Sequence, residues 1–136
     1  MSRERLFLDT AFIQALLNPR DNYHQQAKQL FPRVRSASEV WSTEAVLVEV
    51  GNALSAVNRR GATEFIQRCY RTSNIQVVSV DTALLMTALD LYQSRPDKDW
   101  GLTDCISFMV MQQQGLADAV TSDRHFRQAG FRTLMA

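Results

Sequence analysis

The sequence predicts an α/β fold, a three-layer α/β/α sandwich with a central parallel sheet. Short apolar runs of strand length alternate with segments of helical periodicity, which is typical of a parallel sheet covered by helices on both faces. The length of 136 residues suits one domain, and the 5 glycines and 3 prolines are scattered rather than gathered in a linker. We therefore expect a single domain spanning residues 1–136.

Each element follows from apolar spacing and from residues that cap or break helices. The Asn18-Pro19 pair ends the first helix and Pro32 ends or kinks the second, because proline lacks the amide hydrogen that a helix interior needs. Gly61 and Gly115 close later helices, and Asp81 caps another. The predicted order is strand 5–8, helix 10–17, a helix from 21 or 22 into the low thirties, strand 40–42, helix 43–59, helix 62–72, strand 75–80, a helix to about 94, helix 105–114, strand 117–121, helix 123–128 and strand 131–134.

The clearest helix is predicted over residues 43–59. Its apolar side chains recur at helical spacing and form one stripe. The residues of this stripe in helix 43–59 are Val46, Val50, Ala53, Leu54 and Val57.

A polar loop at residues 95–102 precedes the strongly apolar helix predicted over residues 105–114.

Composition excludes several classes of protein. The formal net charge is +1, which argues against a polybasic nucleic-acid or membrane binder. No apolar run approaches the roughly 18 residues that a membrane span needs, and the charged start is not followed by the apolar stretch of a signal peptide. We therefore expect a cytoplasmic protein that contacts no membrane.

The cysteines and arginines are less informative. Cys69 and Cys105 lie far apart in the sequence, so neither a disulfide nor a zinc site is indicated and both are expected in the core. All 15 basic residues except Lys28 and Lys98 are arginines. Arginine binds phosphate bidentately, but a high-GC genome would produce the same bias, and both explanations stay open.

Three aspartates stand in similar contexts, each just before a predicted helix: Asp9, Asp104 and Asp123. Taken singly, each is expected to cap its helix by accepting hydrogen bonds from free amides. Asp9 and Asp123 also follow apolar strands. They are therefore predicted to project from the same carboxyl edge of the sheet, where ligands of α/β proteins bind.

Glu49 differs because it interrupts the apolar face of its predicted helix. A carboxylate on or beside a buried face is costly unless it is paired, binds a cation or opens to a cleft. A salt bridge to an arginine or a flank position open to solvent are the alternatives.

Convergence of Glu49 with the three aspartates would create strong repulsion, which a divalent cation removes. A set of oxygen ligands suits Mg²⁺ or Mn²⁺. Such a cation can activate water and stabilise a reacting phosphate, which is the chemistry of phosphodiester hydrolysis.

Four sequence motifs follow one another in a specific order. They are Phe7-Leu8-Asp9-Thr10, Thr43-Glu44-Ala45-Val46-Leu47-Val48-Glu49-Val50 with Asn52-Ala53-Leu54, Leu102-Thr103-Asp104-Cys105-Ile106-Ser107-Phe108, and Thr121-Ser122-Asp123-Arg124-His125-Phe126. Together they resemble the PIN domain family, and more narrowly its VapC-like toxin branch, over nearly the whole chain. The resemblance implies a Mg²⁺- or Mn²⁺-dependent endoribonuclease of single-stranded RNA. It also implies the toxin of a type II toxin–antitoxin pair, with a cognate antitoxin protein and a homodimer.

The resemblance assigns the same four acids as the catalytic set. Asp9 and Asp104 would be the main metal ligands. Glu49 would complete the site directly or through water, and Asp123 would take an outer or second-metal role. His125 is expected to position the last helix.

Further residues are candidates for lesser parts. Thr10 and Ser122 could hydrogen-bond the carboxylates or the scissile phosphate, or simply cap helices. Asp99, in the polar loop, is a possible auxiliary ligand. Arg124 could contact RNA or pair with an acid. Trp100 could stack on bases or fill a packing gap, and its polar setting favours the substrate role.

Two other classes of function compete with a nuclease. Asp81 directly follows a strand, as a phosphoacceptor of a receiver domain would, but neither lysine stands at the late strand end that this chemistry requires. A PIN-fold module that binds RNA or protein without cutting is disfavoured by the presence of all four acids. Within the nuclease class, a stand-alone RNA-processing enzyme is the alternative to a toxin.

Overall fold

The computed structural model describes residues 3–135, which form one five-stranded sheet and seven helices. The prediction of a single domain over residues 1–136 also includes Met1, Ser2 and Ala136, which lie outside the described residues.

The sheet is parallel throughout, as the apolar runs predict. Its strands are β1 (Arg5–Leu8), β2 (Glu39–Thr43), β3 (Ile75–Val78), β4 (Asp118–Val120) and β5 (Arg132–Thr133). They lie in the order β3-β2-β1-β4-β5, with every neighbouring pair parallel. The predicted fold class, an α/β sandwich with a central parallel sheet, is confirmed.

The helices connect the strands and pack on one another. Helix α1 contacts α2 and α3, α3 contacts α4, and α5 contacts α6. Within the described residues, no helix combines the length and the apolar character needed to cross a lipid bilayer. The helices are α1 (Thr10–Leu17), α2 (His24–Ser36), α3 (Glu44–Leu54), α4 (Arg59–Arg71), α5 (Thr82–Ser94), α6 (Leu102–Gln114) and α7 (Arg124–Gln128).

Strand β1 lies at the centre of the sheet and is buried along most of its length. Leu6, Phe7 and Leu8 are at most 1% exposed, because a strand covered on both faces needs apolar side chains on both. Phe126 of α7 contacts Phe7, with ring centroids 6.3 Å apart. Its ring also meets Phe108 of α6 edge to face at 5.0 Å. These contacts hold the short helix α7 against β1 and α6.

The predicted helix over residues 43–59 is wrong in its second half. Helix α3 ends at Leu54, and a new helix begins at Arg59. Ala53 is exposed and Val57 is 55% exposed, so neither belongs to the buried stripe that helical spacing predicts.

The break between α3 and α4 depends on Asn58. Its Oδ1 accepts a hydrogen bond from the Gly61 amide at 3.0 Å, and its Nδ2 donates to the Leu17 carbonyl at 2.9 Å. Gly61 therefore lies in the first turn of α4 rather than closing α3. A Cβ atom at position 61 would collide with the Asn58 side chain, so a larger residue here would displace the cap that Asn58 provides.

Smaller corrections concern element ends. Helix α2 begins at His24 and continues through Pro32 to Ser36, so Pro32 does not end it. Strand β3 stops at Val78, two residues earlier than predicted. Helix α6 begins at Leu102 rather than at residue 105, which places Asp104 inside its first turn.

We predict that Asn58→Ala lowers the free energy of unfolding by about 1–2 kcal/mol, since it removes a helix cap and leaves the Leu17 carbonyl without its donor. Urea denaturation followed by circular dichroism measures the change. Asn52→Ala is the matched control because Asn52 is exposed on α3, and its effect should stay within about 0.5 kcal/mol. Equal effects of the two substitutions would contradict the assigned role of Asn58.

Candidate active site

The candidate site lies at the carboxyl edge of the sheet, where the strand order reverses. The chain runs outward from β1 to β2 and β3, whereas β4 and β5 lie on the other side of β1. Such a reversal opens a crevice at the ends of the two central strands. Leu8 pairs with Val120, so Asp9 and Thr121 follow side by side at this edge.

Asp9 occupies the cap position of α1 but does not act as a cap. Its side chain makes no capping hydrogen bond to the helix. Its Oδ2 instead accepts a hydrogen bond from the Thr121 hydroxyl at 2.8 Å. Asp9 is only 5% exposed. A buried carboxylate whose side chain makes no capping bond to the helix points to a role other than capping.

Asp104 lies in the first turn of α6. Its Oδ2 accepts hydrogen bonds from the Gly101 amide at 3.0 Å and from His125 Nδ1 at 3.0 Å. Because both donors use the same oxygen, the other oxygen, Oδ1, is left for a different ligand.

Asp123 and His125 come from the turn that begins α7. Asp123 Oδ1 accepts a hydrogen bond from the His125 amide at 2.9 Å and caps the helix. His125 Nδ1 also lies 3.4 Å from this oxygen. Since both neighbours of Nδ1 are carboxylate oxygens, we assign its proton to Nδ1.

These side chains form a compact group. One ligand atom from each of Asp104, Asp123 and His125 lies within 4.8 Å of the others. Thr121 joins Asp9 to the group, because its hydroxyl donates to Asp9 and accepts a hydrogen bond from the Asp123 amide at 3.0 Å. The arrangement is an acidic cluster that could bind a divalent cation.

Burial and mutual repulsion change the acidity of the cluster. Burial, as the largest cause, raises the pKa of Asp9 to about 7, and the charges of Asp104 and Asp123 add to the effect. The hydrogen bonds from Thr121 and the Thr10 amide act in the opposite direction. Burial likewise raises the pKa of Asp104, while its contacts with Gly101 and His125 lower it.

Glu49 is exposed, so of the positions left open for it, the structure shows the flank position open to solvent. It stands at the flank of α3, where its Oε1 accepts a hydrogen bond from Thr10 Oγ1 at 3.0 Å. Since Thr10 directly follows Asp9, this bond links Glu49 to the edge of the cluster. Of the roles open to Thr10, the structure shows the hydrogen bond to a carboxylate.

Sequence reasoning gave Thr121 no part in the site and assigned His125 only to helix positioning. Both lie two residues from Asp123, one on each side. In a turn that leads into a helix, residues two apart can hydrogen-bond through a side chain of one and the backbone amide of the other. Thr121 and His125 both contact Asp123 in this way. This local pattern was the available signal, but the contact of His125 with Asp104 depends on the packing of α7 against α6.

Trp100 is corrected by the structure. It is 6% exposed, its ring packs edge-on against Phe108 at 5.0 Å, and its Nε1 donates to Gln128 at 3.0 Å. The Arg95 guanidinium lies over the ring at 5.1 Å. The ring therefore fills a packing gap and has no free face for stacking on a base.

The remaining candidates lie around the cluster. Asp99 is exposed and does not belong to the compact group of possible ligands found in the described residues. Ser122 is half-buried between Thr121 and Asp123, and Arg124 is exposed at the start of α7. Cys69 and Cys105 are buried as expected. Burial raises the pKa of each thiol to about 11, so neither is a nucleophile at neutral pH.

Comparison with known proteins identifies the family. The PIN domain family matches residues 6–132. The chain belongs to the PIN domain family. The expectation drawn from the four motifs is thereby confirmed.

Relatives of this PIN domain chain include toxins. It is 27% identical over 126 residues to a protein of Mycobacterium tuberculosis named 23S rRNA-specific endonuclease VapC20, covering 93% of this chain and 95% of the relative. The crystal structure of that VapC20, described as a Sarcin-Ricin loop cleaving toxin, superposes with a TM-score of 0.84 over the same shares of the two chains. FitAcB from Neisseria gonorrhoeae matches with a TM-score of 0.64 at 15% identity, covering 94% and 95% of the chains. This second likeness concerns the fold alone.

We predict that the metal-free PIN domain loses stability as the pH rises from about 4 to about 7. In this range folded Asp9, with a pKa of about 7, holds a proton that the unfolded chain, with the ordinary value of 3.8, has released. The stabilisation is therefore fully present at a pH below the unfolded-state pKa and is lost as the pH rises to the folded-state pKa. The loss amounts to at most about 4 kcal/mol.

Thermal melts in EDTA across this pH range measure the loss. Asp9→Asn, which cannot titrate, should flatten the profile. Identical slopes for the two proteins would contradict the assignment to Asp9. At pH 7, millimolar Mn²⁺ or Mg²⁺ should raise the melting temperature of the wild type, because a cation that binds only the folded site stabilises it.

Proposed function

We propose that this PIN domain protein is a divalent-metal-dependent endoribonuclease that hydrolyses RNA phosphodiester bonds, and that it is the toxin of a VapBC-type toxin–antitoxin pair. The observation that carries the proposal is the acidic cluster of Asp9, Asp104 and Asp123 at the reversal of the sheet. The name of its relative, 23S rRNA-specific endonuclease VapC20, supports RNA as the substrate.

The donors of the cluster fit Mg²⁺ or Mn²⁺. Asp9, Asp104 and Asp123 would hold the cation, and Glu49 would join directly or through water. Carboxylate oxygens suit both ions, and the raised pKa values of Asp9 and Asp104 reflect repulsion and burial that a cation would offset. When bound, the cation supplies an activated water and compensates charge on the phosphate.

The surrounding residues orient these acids. Thr121 holds one oxygen of Asp9, while the Gly101 amide and His125 hold one oxygen of Asp104. Donors of this kind fix carboxylates in one rotamer and leave the remaining oxygens for another ligand. Thr10 does the same for Glu49. Asp99 and Ser122 stay possible auxiliary groups, and Arg124 a possible RNA contact.

Further partners follow from the same proposal. The net charge of only +1 is compatible with RNA, because the cation would join the acidic cluster to the phosphate. Solved structures of similar fold include VapBC2 from Rickettsia felis, at 11% identity and a TM-score of 0.63, which supports an antitoxin partner. A homodimer, a single domain and a cytoplasmic location stay predictions. An apolar stripe on α5 favours the dimer: Met86, Leu89 and Tyr92 are 39–48% exposed.

The principal test is cleavage of RNA. The purified protein with Mn²⁺ should cut a mixed set of structured and single-stranded RNAs, and EDTA should abolish the reaction. Asp104→Asn should lower the rate by at least about 100-fold, because it removes one charge from the metal site. Equal cleavage by both proteins would exclude this active site.

The alternatives have distinct outcomes. An RNA-binding module would retain its affinity for RNA in Asp104→Asn and cut none. A stand-alone RNA-processing nuclease would cut RNA but would have no neighbouring gene for an antitoxin.

A second prediction concerns His125 as a positioning residue. His125→Ala removes the side-chain donor to Asp104. The backbone amide of residue 125 still donates to Asp123, so the cap of α7 is retained. It should weaken Mn²⁺ binding by about 10- to 100-fold, measured as the shift of the melting temperature against Mn²⁺ concentration.

Two variants check this role of His125. His125→Asn should restore part of the affinity, because its amide can donate from nearly the same place. Arg127→Ala, an exposed change on the same helix, should leave the affinity unchanged. Wild-type Mn²⁺ affinity in His125→Ala would show that the contact with Asp104 has no role in holding the metal ligands.

A further inference from the structure

A polar cleft adjoins the acidic cluster. It has a volume of about 400 Å³ and is lined by Gln14, Arg20, Tyr23 and Ser122, with Asp21 in the same loop. Ser122 lies between Thr121 and Asp123 in the chain, so the cleft shares a wall with the cluster. Its size is in the range of small-ligand pockets.

The loop that forms the outer wall is held by hydrogen bonds. Asn18 Oδ1 accepts from the Arg20 amide at 3.0 Å, and Asp21 Oδ1 accepts from the Tyr23 amide at 2.9 Å. His24 Nδ1 lies 2.7 Å from the Ala15 carbonyl, which ties the start of α2 back to α1. The cleft is thus built by the fold and does not depend on a ligand to form it.

The side chains of the cleft suit a nucleotide. Tyr23 is 36% exposed and offers an aromatic ring on which any base can stack. Arg20 is exposed, and within the part of the chain that the structure describes its guanidinium forms no ion pair, so it is available to a phosphate. Gln14 and Ser122 supply hydrogen-bonding groups for a base edge or a sugar.

We propose that this cleft binds the RNA nucleotide next to the scissile phosphate, with its base stacked on Tyr23 and a flanking phosphate on Arg20. The proposal rests on the nuclease function, because the acidic cluster sets where the scissile phosphate lies. Asp21 carries an opposing charge beside Arg20, so the contribution of the loop is one local phosphate contact rather than a general electropositive surface.

The first experiment separates binding from chemistry. Steady-state cleavage of a mixed single-stranded RNA of about 12 nucleotides gives kcat and KM for each variant. Tyr23→Ala should raise KM by roughly 5- to 150-fold with kcat nearly unchanged, since base stacking contributes to ground state and transition state alike. Tyr23→Phe retains the ring and should stay within about 2-fold of the wild type.

The second experiment tests the phosphate contact. Binding of the same RNA, labelled with fluorescein, is measured by anisotropy at several salt concentrations in the Asp104→Asn background. Arg20→Gln should reduce the slope of log affinity against log salt by about 0.7, the value for one phosphate on a single strand. Asp21→Asn keeps the acceptor for the Tyr23 amide and should tighten binding. Arg71→Gln, an exposed change on α4, is the control and should alter neither slope nor affinity.

The outcomes distinguish this proposal from the nuclease function. In one outcome the wild type cleaves RNA while Tyr23→Ala leaves KM unchanged and Arg20→Gln leaves the salt slope unchanged. That result would overturn the role of the cleft and retain the nuclease function. Absence of cleavage together with binding that depends on Tyr23 would support the cleft as an RNA site, but it would refute the nuclease and with it the placement of the nucleotide next to a scissile phosphate. Absence of both cleavage and binding by the wild type would overturn both.

Discussion

The parallel pairing of β1 with β4 is the constraint on which the site depends. Because Leu8 lies opposite Val120, Asp9 and Thr121 emerge as neighbours, and the Thr121 hydroxyl can bridge Asp9 to the Asp123 amide. A change of one residue in this register would turn alternate side chains to the other face of the sheet and separate the bridge from both aspartates. The apolar residues of β1 and the rings of Phe7, Phe108 and Phe126 hold the register.

Helix capping and the chemistry of the cluster are performed by the same groups. Asp123 caps α7, and Asp104 accepts the amide of Gly101 at the start of α6. Each bond stabilises a helix end and also fixes a carboxylate oxygen, so the other oxygen has a defined direction. Asp9 differs, because its side chain leaves the cap unfilled and turns to Thr121. The contrast explains why capping alone was a reasonable interpretation for Asp123 and an incorrect one for Asp9.

The charge that matters is local. A net charge of +1 conceals a crevice in which burial raises the pKa of Asp9 to about 7, and the neighbouring charges of Asp104 and Asp123 add to the effect. Strand pairing places these carboxylates together despite the free energy that their burial and repulsion cost. A bound divalent cation would offset that cost. Arg20 and Tyr23 line the polar cleft that adjoins this crevice.

The sequence by itself determined the order of strands and helices and the parallel sheet, and it singled out Asp9, Asp104 and Asp123 as candidate acids, because apolar periodicity and local motifs are properties of neighbouring residues. Tertiary structure decided the rest. The Leu17 carbonyl helps to fix Asn58 and the break before α4, and Phe108 and Gln128 bury Trp100. Packing of α7 against α6 brings His125 to Asp104, and α3 exposes Glu49 at its flank. Each of these outcomes requires partners that are distant in sequence, and no local pattern specifies where such partners will lie.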